Sequence, residues 1–217
     1  YNKKLIIYCP KNSNKILIDF LNITGVKDID YEIKEVNGKF IDNKYFSFFS
    51  LPLDHDVSCN GYAFVEKDKI RFDKKKLAKH NIPGKKIGEL SVGKNIKFNG
   101  KNIKFKDLTY LESGRKISFV FDTKICKNVN NIIKNSDIAI MEGVFSESDE
   151  ECSNIIGKYK HMTIEDSARC AKKNSVKKLI ISHISQRYEF KEKILLNKAK
   201  KIFSNVVIAS DLMKVNL

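Results

Sequence analysis

The chain has 217 residues, 42% of them hydrophobic, enough for one domain with a substantial core or one domain carrying an insertion. Its formal net charge of +15, mostly from lysine, suits a polyanionic partner, although biased lysine usage alone would give the same number. No apolar run approaches the roughly 20 residues that cross a bilayer, which argues against a membrane protein, and five cysteines without close pairing argue against a disulfide framework or zinc knuckle, pointing to reduced thiols in a cytoplasmic protein.

The chain starts on Tyr1 rather than methionine and enters the apolar run Leu5-Ile6-Ile7-Tyr8 almost at once, which predicts a piece of something longer. That run reads as a strand closed by Pro10. Ser13 then offers a cap for a helix to about Leu21, with Ile16, Leu17, Phe20 and Leu21 on one face. From Tyr31 to Phe49 the pattern alternates, and Asn37-Gly38 and Asp42-Asn43 predict hairpin turns. Phe46-Ser47-Phe48-Phe49 leads into Leu51-Pro52-Leu53-Asp54-His55-Asp56-Val57. His55, between two acids, reads either as surface loop or as a metal ligand whose second ring nitrogen a carboxylate orients.

Gly61 to Val65 reads as a further strand, and then the composition shifts. Residues 66–97 gather eleven lysines and arginines, Lys74, Lys75, Lys76, Lys85 and Lys86 among them, with Pro83-Gly84, Gly88 and Gly93 as breakers. Few apolar residues are available to bury this stretch. It predicts an excursion from the core, with a short helix near 73–80 followed by a glycine-bearing loop. Such a basic arm is either a solvated face or a grip on a nucleic-acid backbone.

Past residue 115, strands alternate with helices: strands 116–121, 137–141, 178–182 and 205–209, and helices near 126–135, 163–174 and 190–203. Their β-branched apolar runs read as buried parallel strands. Polar groups just past the carboxyl ends of parallel strands are where α/β proteins place their sites. Here those groups are Asp122, Glu142, His183 and Asp211, and they predict one shared rim. Carboxylate with neutral imidazole is a usual ligand set for zinc. Thr163 and Asp166 stand at capping-box spacing, so His161 sits just before a helix N-terminus. The helix dipole disfavours an imidazolium there, so a nearby carboxylate matters if His161 is to carry a proton.

Taken together and in order, these residues resemble the ribonuclease Z family, the tRNA 3′-processing endonucleases of the metallo-β-lactamase superfamily. Leu51-Pro52-Leu53-Asp54-His55, Phe121-Asp122-Thr123-Lys124, Met141-Glu142-Gly143-Val144-Phe145, His161-Met162-Thr163, Ser182-His183-Ile184-Ser185-Gln186-Arg187-Tyr188 and Ala209-Ser210-Asp211-Leu212 carry the resemblance. It implies an α/β fold, the C-terminal two thirds or so of a metallo-β-lactamase αββα sandwich, as a single partial domain with an inserted tRNA-binding arm at 66–97. It implies zinc, two ions per complete site, with His55, Asp122 and His183 as metal ligands. It implies His161 with Glu142 as the relay that protonates the leaving 3′-oxygen, and Arg187 with the arm lysines Lys74, Lys75, Lys76, Lys85 and Lys86 as substrate-binding groups. The implied partners are precursor tRNA, a second copy in a homodimer, and an N-terminal half of the enzyme. The family's His-x-His-x-Asp-His run is absent from these 217 residues, and Phe121, Lys124 and Met141 replace the family's Gly, Arg and His. The chain alone is therefore expected to be an inactive zinc-dependent endoribonuclease, with a non-catalytic tRNA-binding subunit or another phosphodiesterase of the superfamily as alternatives.

Overall fold

The computed structural model describes residues 3–25, 29–91, 93–148 and 160–216, with backbone alone for Lys85 and Ser91. The chain divides into two compact units, Tyr1–Glu66 with Arg115–Leu217, and Lys67–Gly114 between them.

The larger unit opens with β1 (Leu5–Cys9), α1 (Asn14–Ile23) and β2 (Tyr31–Glu35). Then come β3 (Gly38–Asp42), β4 (Phe46–Pro52) and β5 (Asn60–Glu66). The smaller unit supplies β6 (Lys69–Phe72), α2 (Lys74–Lys79), α3 (Gly84–Ser91), β7 (Ile96–Phe98), β8 (Lys101–Ile103) and β9 (Thr109–Glu112). The larger unit resumes with β10 (Lys116–Val120), α4 (Lys127–Ile133), β11 (Ile138–Glu142), α5 (Ile164–Lys173), β12 (Lys178–Ser182), α6 (Glu192–Ile202) and β13 (Val206–Ile208).

Its main sheet has the order β13-β12-β11-β10-β5-β4-β3. The four C-terminal strands run parallel, as their apolar runs predict, and β5, β4 and β3 continue antiparallel. Short helices α4, α5 and α6 return the chain between the parallel strands. Their inner residues Val129, Ile132, Ile133, Ile164, Ala168, Ala171, Leu195 and Ala199 pack with Val120, Ala139, Met141, Leu179 and Ile181 into one buried core.

The opposite face of the sheet carries a chain of aromatic rings. Phe40, Phe48, Phe64 and Phe46 meet in sequence at centroid distances of 5.2 to 6.0 Å, and Phe119 remains 38% exposed.

Three expectations change. Asp42-Asn43 turns the β3–β4 hairpin, but Asn37-Gly38 makes none, because β2 pairs in parallel with β1 and leaves β3 to begin another sheet. Ser13 stands at the N-cap of α1 without a side-chain capping bond, and the apolar face of that helix stays exposed, Ile16 at 66% and Phe20 at 59%. The basic stretch keeps its expected short helix, α2, but a second helix and a hairpin stand where a loop was expected. It extends to Gly114 and has its own small core of Ile82, Leu90, Ile96, Ile103 and Leu108, because apolar residues widely spaced among the lysines converge through α3 and the β7–β8 hairpin.

The edge of the parallel strands away from their carboxyl ends is tied by Asp137. Its carboxylate accepts from the Lys116 amide at 2.7 Å and from Lys177 Nζ at 2.6 Å. Burial pushes this carboxyl up, but the two hydrogen bonds outweigh it and hold the group below its ordinary 3.8. A depressed carboxyl contributes stability above its unfolded value and loses it as pH falls through the folded one. Asp137→Asn should therefore cost about 1 kcal/mol at pH 7. In urea unfolding the gap to the unaltered chain should close as pH drops below 3.8.

Candidate metal centre

The parallel strands deliver the site by how they end. Glu142 is the last residue of β11 and is fully buried. Asp122 and His183 lie just beyond β10 and β12, each in the left-handed region at φ 52°. Residues other than glycine are uncommon there, although Asn, Asp and His adopt it more often than the rest, and such conformations cluster at functional positions. His161 is placed by α5. Thr163 Oγ1 accepts from the Asp166 amide and Asp166 Oδ2 from the Thr163 amide, the expected capping box. The preceding Met162 is fully buried and its carbonyl accepts from the Val144 amide, which fixes the approach of the chain.

These turns bring ligand atoms of Asp122, Glu142, His161 and His183 within 4.8 Å of one another. Glu142 is the centre of the group. Its Oε1 accepts from the amides of Thr123 and Met162 at 3.1 and 2.9 Å. Its Oε2 accepts from the Asp122 amide at 3.1 Å, from His161 Nδ1 at 2.9 Å and from His183 Nδ1 at 3.3 Å. Its carbonyl accepts from Ser167 Oγ at 2.6 Å. A carboxylate with both oxygens so occupied acts more as an organiser than as a ligand. Holding each ring by Nδ1 fixes its tautomer and leaves Nε2 for another partner.

His55 stands beside this group, its ring centroid 5.2 Å from that of His161, and its buried Nδ1 has no hydrogen-bond partner. An orphaned imidazole nitrogen beside two oriented histidines and an aspartate fits a borderline cation such as zinc. The four-residue cluster is a candidate for at most one such ion, and among the described residues it is the one group of its kind.

Asp211, expected on the same rim, is exposed and outside the cluster. Arg187 lies with its guanidinium 5.4 Å from the Phe145 ring centroid. Lys74, Lys75 and Lys76 are exposed on α2 and Lys86 pairs with Glu89 on α3, all within the smaller unit, whereas the Lys85 side chain lies outside the described residues. Three features were not foreseen: the amides gathered on Glu142, the support from Ser167, and the lysines around His55. Each depends on contacts across the fold that no local pattern announces. Cys59, whose Sγ lies 3.3 Å from the Phe121 carbonyl, is no thiolate at neutral pH, since burial and then Asp122 and Glu142 push it up to about 11.

Solved structures share this architecture. The metallo-β-lactamase fold protein YhfI from Bacillus subtilis matches with a TM-score of 0.59 at 15% identity, covering 96% of this chain and 64% of that one. The short form of human tRNase Z matches at 0.58 and 16% identity, covering 96% and 66%. The fold is that of the metallo-β-lactamases, and the site lies at its strand ends. Ribonuclease Z of Lactobacillus gasseri is 31% identical over 219 residues, 96% of this chain and 69% of that protein. Ribonuclease Z of Nanoarchaeum equitans is 32% identical over 191 residues, 87% and 60%. The chain belongs to the ribonuclease Z family, in a superfamily of metal-dependent hydrolases. It spans 60 and 69% of the length of these two relatives. No family model matches it.

Glu142→Gln should expose how much the site depends on one carboxylate. The amide NH2 would face backbone donors where an acceptor is needed, and a buried unsatisfied group costs about 1–3 kcal/mol, more for charged ones. Urea unfolding should show a loss of about 3 kcal/mol, and the His161 and His183 ring signals should both move.

Proposed function

We propose that this chain forms part of a zinc-dependent endoribonuclease that removes the 3′ trailer from precursor tRNA. The observation that carries the proposal is the pair of histidines, His161 and His183, held by one buried carboxylate beside Asp122, in a chain of the ribonuclease Z family. His55, Asp122 and His183 are the proposed ligands. Zinc, when bound, supplies Lewis-acid polarisation of the phosphate and a more acidic water. His161, with Nδ1 on Glu142, presents Nε2 as the proton donor to the leaving 3′-oxygen, a role that typically contributes about 10²–10⁴-fold. A cytoplasmic homodimer belongs to the same proposal and rests on the family alone. Among the described residues no helix is long and apolar enough to cross a membrane.

In this reading the remaining ligands come from a segment bearing His-x-His-x-Asp-His, which these 217 residues lack. The aromatic face of the main sheet, opposite its helices, is a suitable place for such a segment to dock. The missing run also favours a second reading, a tRNA-binding subunit without catalysis. One experiment separates them. The chain alone should bind less than one zinc per chain, by elemental analysis, and leave precursor tRNA intact. Co-expression with such a segment should bring the count to about two per site and give 3′ cleavage. Robust cleavage by the chain alone would overturn the dependence on the segment, and no cleavage in either case would leave the binding reading.

The smaller unit is the proposed tRNA grip. Lys67–Gly114 holds fourteen Lys and Arg against five Asp and Glu, a net charge of +9 of the total +15. Structured RNA is recognised chiefly through shape and phosphates, and neutralised phosphates make affinity fall steeply with salt. Replacing the unit by a short linker should weaken tRNA binding at least about tenfold at low salt and flatten its salt dependence, as filter binding would show. Unchanged affinity would assign the grip elsewhere.

A further inference from the structure

His55 and His161 come from segments more than a hundred residues apart, and no hydrogen bond joins their rings among the described residues. Something else sets their 5.2 Å spacing. Asp54 and Asp56, the two neighbours of His55, both reach Lys160, the neighbour of His161. Lys160 Nζ lies 3.3 Å from Asp54 Oδ1 and 3.3 Å from Asp56 Oδ1. The second oxygen of Asp54 takes Lys124 Nζ at 3.2 Å, two residues after Asp122. Backbone contacts tighten the same knot. The Asp54 amide donates to Thr123 Oγ1 at 3.1 Å, and the Asp54 carbonyl accepts from the Lys124 amide at 3.1 Å.

We infer that Lys160 is a positioning residue, whose ammonium clamps both acidic neighbours of His55 and so holds the His55 ring against His161. The inference concerns the same site as the proposed function and rests on that reading only for its consequence in metal binding.

The alternative use of these lysines, as phosphate contacts, is disfavoured by charge. Two ammoniums against two carboxylates leave nothing to attract a polyanion. The geometry suits a clamp instead. Lys160 adopts φ 52°, in the left-handed region, and its side chain reaches both aspartates from the residue next to His161. With its side chain 31% exposed and Asp54 at 38%, the inner part of the network is partly shielded from solvent. Isolated exposed pairs contribute little to overall stability, so a clamp of this kind should act locally rather than globally.

The test uses the full chain, with histidine ring protons followed by NMR. Rings at this spacing should give a His55–His161 cross-peak in the unaltered chain, and its absence there would overturn the inference. Lys160→Met, which keeps length and removes charge, should abolish the cross-peak with the circular dichroism spectrum unchanged, and Lys160→Arg should restore it. If Lys160→Met does not fold, the double variant Asp54→Asn, Asp56→Asn cuts the clamp from the other side and should lose the same cross-peak. Zinc affinity, measured with the metal alone by calorimetry, should fall about 10-fold in each clamp-breaking variant, the lower end for outer contacts of metal ligands. A cross-peak that survives in either variant overturns the clamp, as does weakened zinc binding with the rings still in place, which would reveal plain electrostatics. Failure to cleave RNA after co-expression with the His-x-His-x-Asp-His segment would count against the proposed function and leave the cross-peak result untouched.

Discussion

A carboxylate removed from water is tolerated only when hydrogen bonds replace the water it loses, and Glu142 meets that condition by recruiting donors from three places in the chain. The turn after β10 gives two amides, the lead-in to α5 gives one amide and a ring, and the turn after β12 gives the second ring. A sixth contact, from Ser167 to the Glu142 backbone carbonyl, reaches back from the first turns of the helix. A shift of any of these segments would weaken bonds to a buried carboxylate. Site geometry and fold stability are therefore the same set of bonds seen from two sides.

The main sheet is unequal on its two faces. Three helices cover one face and fill it with aliphatic side chains. The other carries aromatic rings that meet mainly one another, from Phe40 through Phe48 to Phe64, with Tyr8 of β1 packed on Phe40. The exposed apolar stripe of α1 belongs to the same imbalance. The segment proposed above would find in these surfaces the apolar area that a further packing layer needs.

How much of this was legible in the sequence depends on the range of the interaction. The parallel strands were plain, because strands buried on a sheet interior need runs such as Leu179-Ile180-Ile181, and their polar ends then fall where the topology puts them together. Thr163 and Asp166 announced the start of α5 because capping is local chemistry. What failed was non-local. Asn37-Gly38 looks like a hairpin turn in any window, and only the parallel pairing of β1 with β2 shows otherwise. The small core of residues 67–114 was hidden because Ile82, Leu90, Ile96, Ile103 and Leu108 are diluted by lysine and have no single period. Lys160 carried no signal at all, being one lysine in a lysine-rich chain whose meaning is given by two aspartates a hundred residues away.

The left-handed turns at Asp122 and His183 have a consequence for how this protein can change. Both strands leave the sheet through a conformation in which glycine or asparagine would rest more comfortably than the residue present, histidine above all. At these two positions a mutational drift toward greater stability runs directly against the chemistry. Selection for a sturdier fold alone would therefore erode the site first at its two most twisted residues, while Glu142, bound into the fold from every side, would be the last to go.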